Sequence, residues 1–413
     1  MPHPTPEPAG LEWIAGGHVT TPAGFVAGGA YAGIKTYGDD PRLDTGILGG
    51  TGPLTVAGIF TRNAVTGASV KRNRAILAER RVVRGLVCNS GNANTVTGEQ
   101  GERDGERMAA LAAARLGCDA REVFSGSTGV IGRMLPMEKV ERGLAEVTLT
   151  ADGGPRFARS IITTDTHEKQ AAVRVTVAGR TYTVGGCAKG AGMIHPDMGT
   201  MFAYLTTDAP ADPAWLDATL RDVASRTLNM IDIDMDTSTS DTMLLMASGL
   251  AGGEPLTAAH PAAATVSAAV EAVARYLARQ IAGDGEGATC LLEAVVDGAA
   301  SVEDARAVAR TITSSPLIKT MVTGRDPNWG RIMMAAGRSG ARFDQTRTSV
   351  WIGDVQVLRT GEPTDADLAA VSRAMAAEEV QLRVHLGAGD ESATAWGCNL
   401  TAEYVSINAD YTT

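Results

Sequence analysis

The chain has 413 residues and a formal net charge of −10, with 44% hydrophobic, 20% charged and 4% aromatic residues. This composition is typical of a globular protein, and the acidic balance argues against a nucleic-acid-binding surface, which is normally basic. Apolar runs stay well short of the roughly 18 residues that a membrane-spanning helix needs. The five cysteines are scattered without a Cys-x-x-Cys pair, so they indicate neither a disulfide framework nor a zinc site.

Length and the N-terminal residues set two further expectations. A chain of 413 residues exceeds the usual size of a single core, so two packed layers or subdomains are expected. Residues 1–15 form a polar, proline-broken lead that we expect to fray. It has neither a basic n-region nor an apolar h-region, which predicts a cytoplasmic protein.

Short apolar runs separated by Gly and Asn mark the first hundred residues. The runs 57–60 and 81–88 are predicted strands. The Asn-rich stretch 89–94 follows the second strand and is expected to be a loop, whose amides either position a ligand or only make turns. A helix is predicted over 102–116, with Gly117 as its stop.

The stretch 124–132 is rich in Ser, Thr and Gly and is predicted to be a loop with free backbone amides. Such a loop suits acyl transfer, because a hydroxyl group and a flexible N–H can both donate to a developing oxyanion. The alternatives are a phosphate-binding nest and a plain turn.

A hairpin is predicted from Val173 to Val184, with its turn at Ala178 and Gly179, and it leads into Lys189. Further on, Gly199 precedes Thr200. The Thr hydroxyl can attack the preceding carbonyl in a strained turn, and the free α-amine that results can act as the base for that hydroxyl. An ordinary turn at the beginning of a strand is the alternative.

The second half mixes helices and strands without strict alternation, which favours α+β layers over a doubly wound sheet. An acidic cluster, Asp232, Asp234, Asp236 and Asp241, leaves a Ca²⁺ or Mg²⁺ site as an alternative, although its spacing does not match an EF-hand. No dinucleotide motif follows a strand.

The predicted elements of the second half are a helix after Asp212-Pro213, a helix over 266–281 closed by Gly283, a strand over 289–296, a helix from Ser301, a hairpin turning at Gly353-Asp354, a helix with Leu368, Val371 and Met375, and a strand over 380–386.

Motifs along nearly the whole chain resemble those of the ornithine acetyltransferase family, the bifunctional glutamate N-acetyltransferase and amino-acid acetyltransferase enzymes of arginine biosynthesis. The central one is 189–209, which contains Gly199-Thr200. The others are Gly33-Ile34-Lys35, 89–94 with 97–101, 127–132, Thr163-Thr164-Asp165-Thr166, Asp236-Thr237-Ser238-Thr239, 284–289, 326–331 and the terminal 407–413.

The resemblance implies a layered αββα sandwich with a second, smaller α/β subdomain. It also implies that the chain cuts itself between Gly199 and Thr200 and transfers acetyl from N2-acetylornithine to glutamate. The products of cleavage would be an α chain of residues 1–199 and a β chain of 200–413, assembled as an α2β2 heterotetramer. Acetyl-CoA is left open as a second donor, and neither a cofactor, a metal, a nucleic acid nor a membrane is implied as a partner.

Site roles are carried over from the family by motif position. Thr200 would be the nucleophile, and Thr128 with Gly129 would stabilise the oxyanion. The substrate-binding residues would be Thr163, Lys189, Thr200, Glu286, Asn408 and Thr413. The chain departs from the family pattern at Gly199, where Ala is usual, and at Met235 and Ser240, where Gly and Asn are usual.

Other interpretations of these residues remain. A self-cleaving aminopeptidase or amidase would use the same nucleophile but pass the acyl group to water. A non-enzymatic binding protein would keep the pocket and remain one intact chain. Cys187, two residues before Lys189, lies near a site or is simply a buried small hydrophobe, and a lone Glu after a helix, such as Glu286, is usually solvated.

Overall fold

The structure is a computed structural model that describes residues 10–35, 42–177, 179–195 and 201–410. Gly199, Thr200, Thr413, Ala178 and the first nine residues, on which predictions fell, lie outside these ranges. None of the helices in the described ranges is both long enough and apolar enough to cross a bilayer.

The described strands form two sheets. In chain order they are β1 (Leu11–Trp13), β2 (Phe25–Ala30), β3 (Thr45–Phe60), β4 (Val82–Asn92), β5 (Val123–Val130), β6 (Lys169–Val177), β7 (Arg180–Lys189), β8 (Phe202–Thr207), β9 (Ile231–Asp232), β10 (Thr242–Ala247), β11 (Leu291–Ala299), β12 (Ser349–Ile352), β13 (Val355–Arg359), β14 (Glu362–Pro363), β15 (Glu379–His385) and β16 (Glu391–Cys398).

Helices cover both sheets. The described α-helices are α1 (Ala68–Glu79), α2 (Gly98–Leu116), α3 (Met137–Glu146), α4 (Gly154–Ile161), α5 (Pro213–Arg226), α6 (Ala263–Gly283), α7 (Val302–Thr313), α8 (Pro316–Gly324), α9 (Gly330–Gly337), α10 (Leu368–Ala374) and α11 (Ala402–Asp410). Short 3-10 turns span Ala120–Glu122, Leu228–Met230 and Gln345–Arg347.

The first sheet runs β1, β6, β7, β8, β10, β3, β4, β5, with β2 beside β3. The long strand β3 belongs to two arms: its first half pairs with β2 and β4, and its second half pairs with β10. The two arms face each other, because side chains of β4 and β5 share one buried cluster with side chains of β8 and β10. At this interface Sγ of Cys88 lies 3.1 Å from the hydroxyl oxygen of Tyr204.

Helices close both outer faces of these arms. Met108 of α2 and Leu144 of α3 pack with Ile47 and Val87 on one arm. On the other arm, α6 packs against β6 and β7, and α5 packs against β3 and β10. The order of layers is therefore helix, sheet, sheet, helix, and the predicted αββα sandwich is confirmed.

The second sheet builds the smaller α/β subdomain. Its order is β14, β13, β12, β15, β11, β16, β9, and α7 packs on β11 and β16. Helix α6 contacts strands of both sheets, and its apolar residues belong to the cluster that contains both. One continuous core therefore joins the sandwich to the subdomain.

Several predicted elements are confirmed, with helix ends shifted by up to four residues. Asp212 caps α5 by accepting from the N–H groups of Ala214 and Trp215, and Ser301 caps α7. Gly117 ends α2 in the left-handed conformation. Strands β6 and β7 pair as an antiparallel hairpin with Val177 opposite Arg180, and the hairpin β12–β13 turns at Gly353-Asp354 as the sequence predicts.

Three predictions of irregular structure were wrong. Strand β4 extends to Asn92, so four of the six residues of the Asn-rich stretch pair with neighbouring strands. The small residues of 124–130 form β5, parallel to β4, and are small because the facing arm lies close: a Cβ at Gly126 would stand 2.9 Å from the Tyr204 hydroxyl. Residues Leu11–Trp13 of the N-terminal lead pair with β6.

Candidate active site

A cavity of about 310 Å³ lies where the ends of β5 and β7 meet the start of β8, the loop after α6 and helix α11. The predicted site residues that the structure describes all line this cavity. They are Thr128, Gly129, Thr163, Lys189, Glu286 and Asn408. Thr200 and Thr413 lie outside the described residues, but Met201 and Phe202, which follow Thr200 in the chain, line the same cavity.

Thr128 and Gly129 lie at the end of β5, where they pair with Ser90 and Gly91 of β4. Gly129 has a φ of +125°, and a Cβ there would stand 2.3 Å from the carbonyl carbon of Gly91. Only glycine fits this combination of backbone angle and close approach. Strand β4 thus fixes the backbone at Gly129, whose N–H is a candidate donor to the oxyanion.

Lys189 is the last residue of β7 and is almost fully buried at the cavity wall. Burial lowers the pKa of its ammonium group, while the carboxylates of Asp165 and Asp241 act in the opposite direction. Among the described residues, no acidic side chain lies at ion-pair distance from this ammonium. The cavity therefore presents a positive charge to a ligand, and a carboxylate is the natural counter-ion.

Glu286 is half-buried in the loop after α6, and it brings a negative charge to the cavity that Lys189 also lines. Its N–H donates to the carbonyl of Ala191 at 2.9 Å, which ties this loop to the segment after β7. A Cβ at Gly192 would stand 2.6 Å from the Glu286 carboxyl group, so the absence of a side chain there permits the approach. Nδ2 of Asn408 donates to Oε2 of Glu286 at 2.8 Å. Glu286 is thus held at the cavity rather than merely solvated.

Asp241 is a wall residue whose place at the site the sequence interpretation missed. It precedes β10, whose Thr242 pairs with Phe202 of β8 in parallel register. Its side chain is buried, and Oδ2 has no hydrogen-bond partner. Burial raises the pKa of this carboxyl group well above its ordinary value, against hydrogen bonds from Ser238 and Thr61 and the charge of Lys189. The sequence did place Asp241 in an acidic cluster, but that cluster suggested a metal site rather than a wall of the cavity.

Two other carboxylates of that cluster, those of Asp232 and Asp234, have protein partners. Oδ1 of Asp232 lies 2.8 Å from Nδ1 of His195, and its Oδ2 lies 3.0 Å from Nζ of the buried Lys319. Asp234 accepts from the N–H groups of Met193 and Ile194 at 2.6 and 2.9 Å. Within the described ranges no three acidic, His or Cys side chains converge as metal ligands would.

Cys187 lies in the core between the two sheet arms and does not line the cavity. Burial raises the pKa of its thiol well above the ordinary value, with Cys88 adding to the effect. A buried thiol of this kind is a poor nucleophile. Its role is that of a small hydrophobic residue.

The layered sandwich and its small, charged cavity define an α+β protein with a site for a small polar molecule. A family model described as the ArgJ family matches residues 26–413. The chain is 47% identical over 405 residues to the arginine biosynthesis bifunctional protein ArgJ of Symbiobacterium thermophilum, covering 98% of this chain and 100% of that protein. The protein of the same name from Thermus thermophilus is 46% identical over 395 residues, covering 96% and 100%. The chain belongs to the ArgJ family, and it is an acyltransferase of arginine biosynthesis.

Solved structures of similar sequence carry related descriptions. The arginine biosynthesis bifunctional protein of Bacillus halodurans is 42% identical, with a TM-score of 0.49 over 51% of this chain and 98% of that chain. The ornithine acetyltransferase of Mycobacterium tuberculosis, solved in complex with ornithine, is 38% identical, with a TM-score of 0.42 over 45% and 98%.

Proposed function

We propose that this chain transfers an acetyl group from N2-acetylornithine to glutamate through an acetyl-threonine intermediate at Thr200. The observation that carries the proposal is the convergence on one cavity of Thr128, Gly129, Lys189 and Glu286, which come from separate elements of the fold. Their chemistry suits a substrate that has a carboxylate, an amine and a reacting acyl group.

The nucleophile would be released by the chain itself. The hydroxyl of Thr200 attacks the carbonyl of Gly199, the peptide C–N bond breaks, and the resulting ester is hydrolysed by water. The products are an α chain of 1–199 and a β chain of 200–413 whose N-terminal Thr carries a free α-amine. That amine can then accept the proton of the hydroxyl group, a known way of activating a weak nucleophile.

Transfer would proceed in two balanced steps. The Thr200 oxygen attacks the acetyl carbonyl, the amide C–N bond breaks, and ornithine leaves with the proton that the hydroxyl lost. The amine of glutamate then attacks the acetyl ester, N-acetylglutamate leaves, and the proton returns to the Thr oxygen. The negative charge on the carbonyl oxygen in both steps would be stabilised by the Thr128 hydroxyl and the Gly129 N–H.

Recognition of the substrate would use the charges of the cavity. The ammonium of Lys189, with Thr163 beside it, would bind the α-carboxylate, and the carboxylate of Glu286 would receive an amine. Asn408 and Thr413 would complete the pocket from the C-terminal end of the chain. Both substrates share the carboxylate and differ in their side chains, so one pocket can serve donor and acceptor in turn.

The cleaved chains are proposed to assemble as an α2β2 heterotetramer. Acetyl-CoA is a second donor to be tested, because a bifunctional enzyme would use it to acetylate glutamate directly. We propose a cytoplasmic location, which suits an enzyme of amino-acid biosynthesis.

Two measurements test the proposal. On a denaturing gel the purified protein should run as two bands of near-equal size, and Thr200→Ala should run as one. Mass spectrometry during turnover should find the acetyl adduct on the N-terminal Thr of the β chain. The control Thr66→Ala changes a threonine outside the cavity and should be cleaved and acetylated like the wild type.

Contrary results have distinct meanings. An intact, inactive wild-type chain would indicate a binding protein. A cleaved chain that releases free amino acids from peptide amides, without forming N-acetylglutamate, would indicate the aminopeptidase or amidase alternative. An adduct on another residue would refute the assignment of Thr200.

A further inference from the structure

A buried lysine lies behind the candidate substrate site without lining the cavity. Lys169 is the first residue of β6, and its side chain is fully inaccessible to solvent. Its Nζ lies 2.6 Å from Oδ1 of Asp165 and 2.6 Å from Oδ2 of Asp284. A cation removed from water in this way needs close counter-charges, and the two carboxylates supply them.

Asp165 connects two substrate-binding segments. Its Oδ2 accepts from the N–H of Thr163 at 3.0 Å, and its Oδ1 accepts from the N–H of Gly190 at 2.6 Å. Gly190 directly follows Lys189. One buried carboxylate therefore fixes the backbone that carries the candidate carboxylate-binding residues.

Asp284 connects the third segment. It follows the last residue of α6 and stands two residues before Glu286. Besides Lys169, it accepts from the N–H of Thr166 at 3.0 Å and from the hydroxyl of the same residue. Lys169 thus links the strand end that carries Lys189 to the loop that carries Glu286.

We propose that the buried cluster of Asp165, Lys169 and Asp284 is a positioning unit that sets the substrate specificity of the site. Asp165 holds Lys189 and Thr163 for the α-carboxylate of an amino-acid substrate, and Asp284 holds Glu286 for its amine. This inference rests on the proposed function. It assigns the cluster no contact with substrate, only control over the residues that make it.

The negative charge of Asp165 also affects the pKa of Lys189. Burial alone would raise its pKa, but the ammonium groups of Lys169 and Lys189 hold the pKa well below its usual range, so it stays ionised. Burial lowers the pKa of Lys189, and the negative charge of Asp165 opposes that shift. The other titratable groups that face Lys189 are Asp241, Lys169, Glu286 and Lys35. Loss of the Asp165 charge would therefore move the deprotonation of Lys189 to lower pH.

The test compares two donors that differ only in the carboxylate: N2-acetylornithine and N-acetyl-1,4-diaminobutane. Asp165→Asn should lower kcat/KM for N2-acetylornithine about tenfold or more, mainly through KM, and change it less than about twofold for the decarboxylated donor. The rise of KM with pH should also begin at lower pH in Asp165→Asn than in the wild type.

Asp284→Asn provides a second, independent arm. Because both donors carry the distal amine, this variant should raise KM for both by similar factors. The matched control is Glu271→Gln, which removes the charge of a buried carboxylate in α6 that pairs with Arg226 and Arg275 away from the cavity. It should leave KM for each of the two donors unchanged.

The outcomes separate the inference from the function on which it rests. A wild type that does not transfer acetyl from N2-acetylornithine overturns both. An active wild type with a folded Asp165→Asn variant that treats both donors as the wild type does, or loses activity on both equally, overturns the positioning role alone. If Asp165→Asn does not fold, an unchanged KM for both donors in Asp284→Asn overturns it.

Discussion

The side-chain amide of Asn408 donates a hydrogen bond of 2.8 Å to the carboxylate of Glu286, across 122 positions of the chain. The same amide also donates to the carbonyl of Tyr404, one turn earlier in α11. The C-terminal helix thus anchors a carboxylate of the candidate site. A substrate amine that binds Glu286 would meet a carboxylate in a fixed orientation, which would save the entropy of ordering it on binding.

Removing this anchor should weaken binding of the amine-bearing substrate. We expect Asn408→Ala to raise KM for N2-acetylornithine about fivefold, because a hydrogen bond to a charged group contributes about 1 kcal/mol at an exposed site. Steady-state kinetics would show this with kcat nearly unchanged. Ser406→Ala, an exposed change on the same helix, is the control, and an equal effect in both variants would contradict the anchoring role.

Gly129 should tolerate no side chain. Gly129→Ala places a Cβ 2.3 Å from the carbonyl carbon of Gly91 at a φ of +125°, so β4 and β5 must separate or the backbone must change angle. We expect a loss of about 2 kcal/mol or more in the free energy of unfolding, with a large fall in kcat. Chemical denaturation and kinetics measure the two effects.

Gly117→Ala is a matched control for this change. Gly117 also has a positive φ, at the end of α2, but a Cβ there meets nothing within 4 Å. It should lose about 1 kcal/mol and keep full activity. Wild-type kcat in Gly129→Ala would show that the close approach of the strands does not matter for catalysis.

Asp241 should make stability depend on pH. Burial raises its pKa well above the ordinary value of 3.8, so the folded state holds the proton more tightly than the unfolded chain. Its favourable contribution is present below about pH 4 and is lost as the pH rises through the folded pKa. Asp241→Asn cannot ionise and escapes this loss. As the pH rises above 4, the free energy of unfolding of Asp241→Asn should therefore increase relative to that of the wild type by up to about 1.4 kcal/mol per pH unit.

Denaturant titrations of both proteins from pH 4 to pH 8 would measure this difference. The gain should level off once the pH exceeds the folded pKa. A difference that stays constant over the whole range would mean that the carboxyl group is not protonated in the folded state.

Helix α6 should be a major source of stability, because it packs against both sheets. Leu277 of α6 is fully buried, and a Cβ at Gly186 of β7 would stand 3.0 Å from its Cδ1. We expect Leu277→Ala to cost about 2–5 kcal/mol. Leu250→Ala, at a leucine that is 62% exposed, should change the unfolding free energy by less than about 0.5 kcal/mol. Similar losses in both would contradict the packing described for α6.

Elements that depend on interactions between residues close in the chain were predicted correctly, and elements that depend on contacts between distant residues were not. Helix α5 was predicted because Asp212 and Pro213 are local signals, and the cap hydrogen bonds form within three residues. Strand β5 was mistaken for a loop because its Ser and Gly residues have low strand propensity. It is a strand because β4 supplies hydrogen bonds and Tyr204 of the facing arm leaves room only for small side chains.

The sequence alone determined the family resemblance, the α+β class and six of the residues that line the cavity, because motif identity and local caps survive in the linear order of residues. Only the tertiary structure decided that Asp241 lines the same cavity, that Asn408 holds Glu286, and that Lys169 joins Asp165 to Asp284. These groups are separated by up to 122 positions in the chain. Burial and the charges of neighbours set their ionisation, and both arise only when the layers pack together.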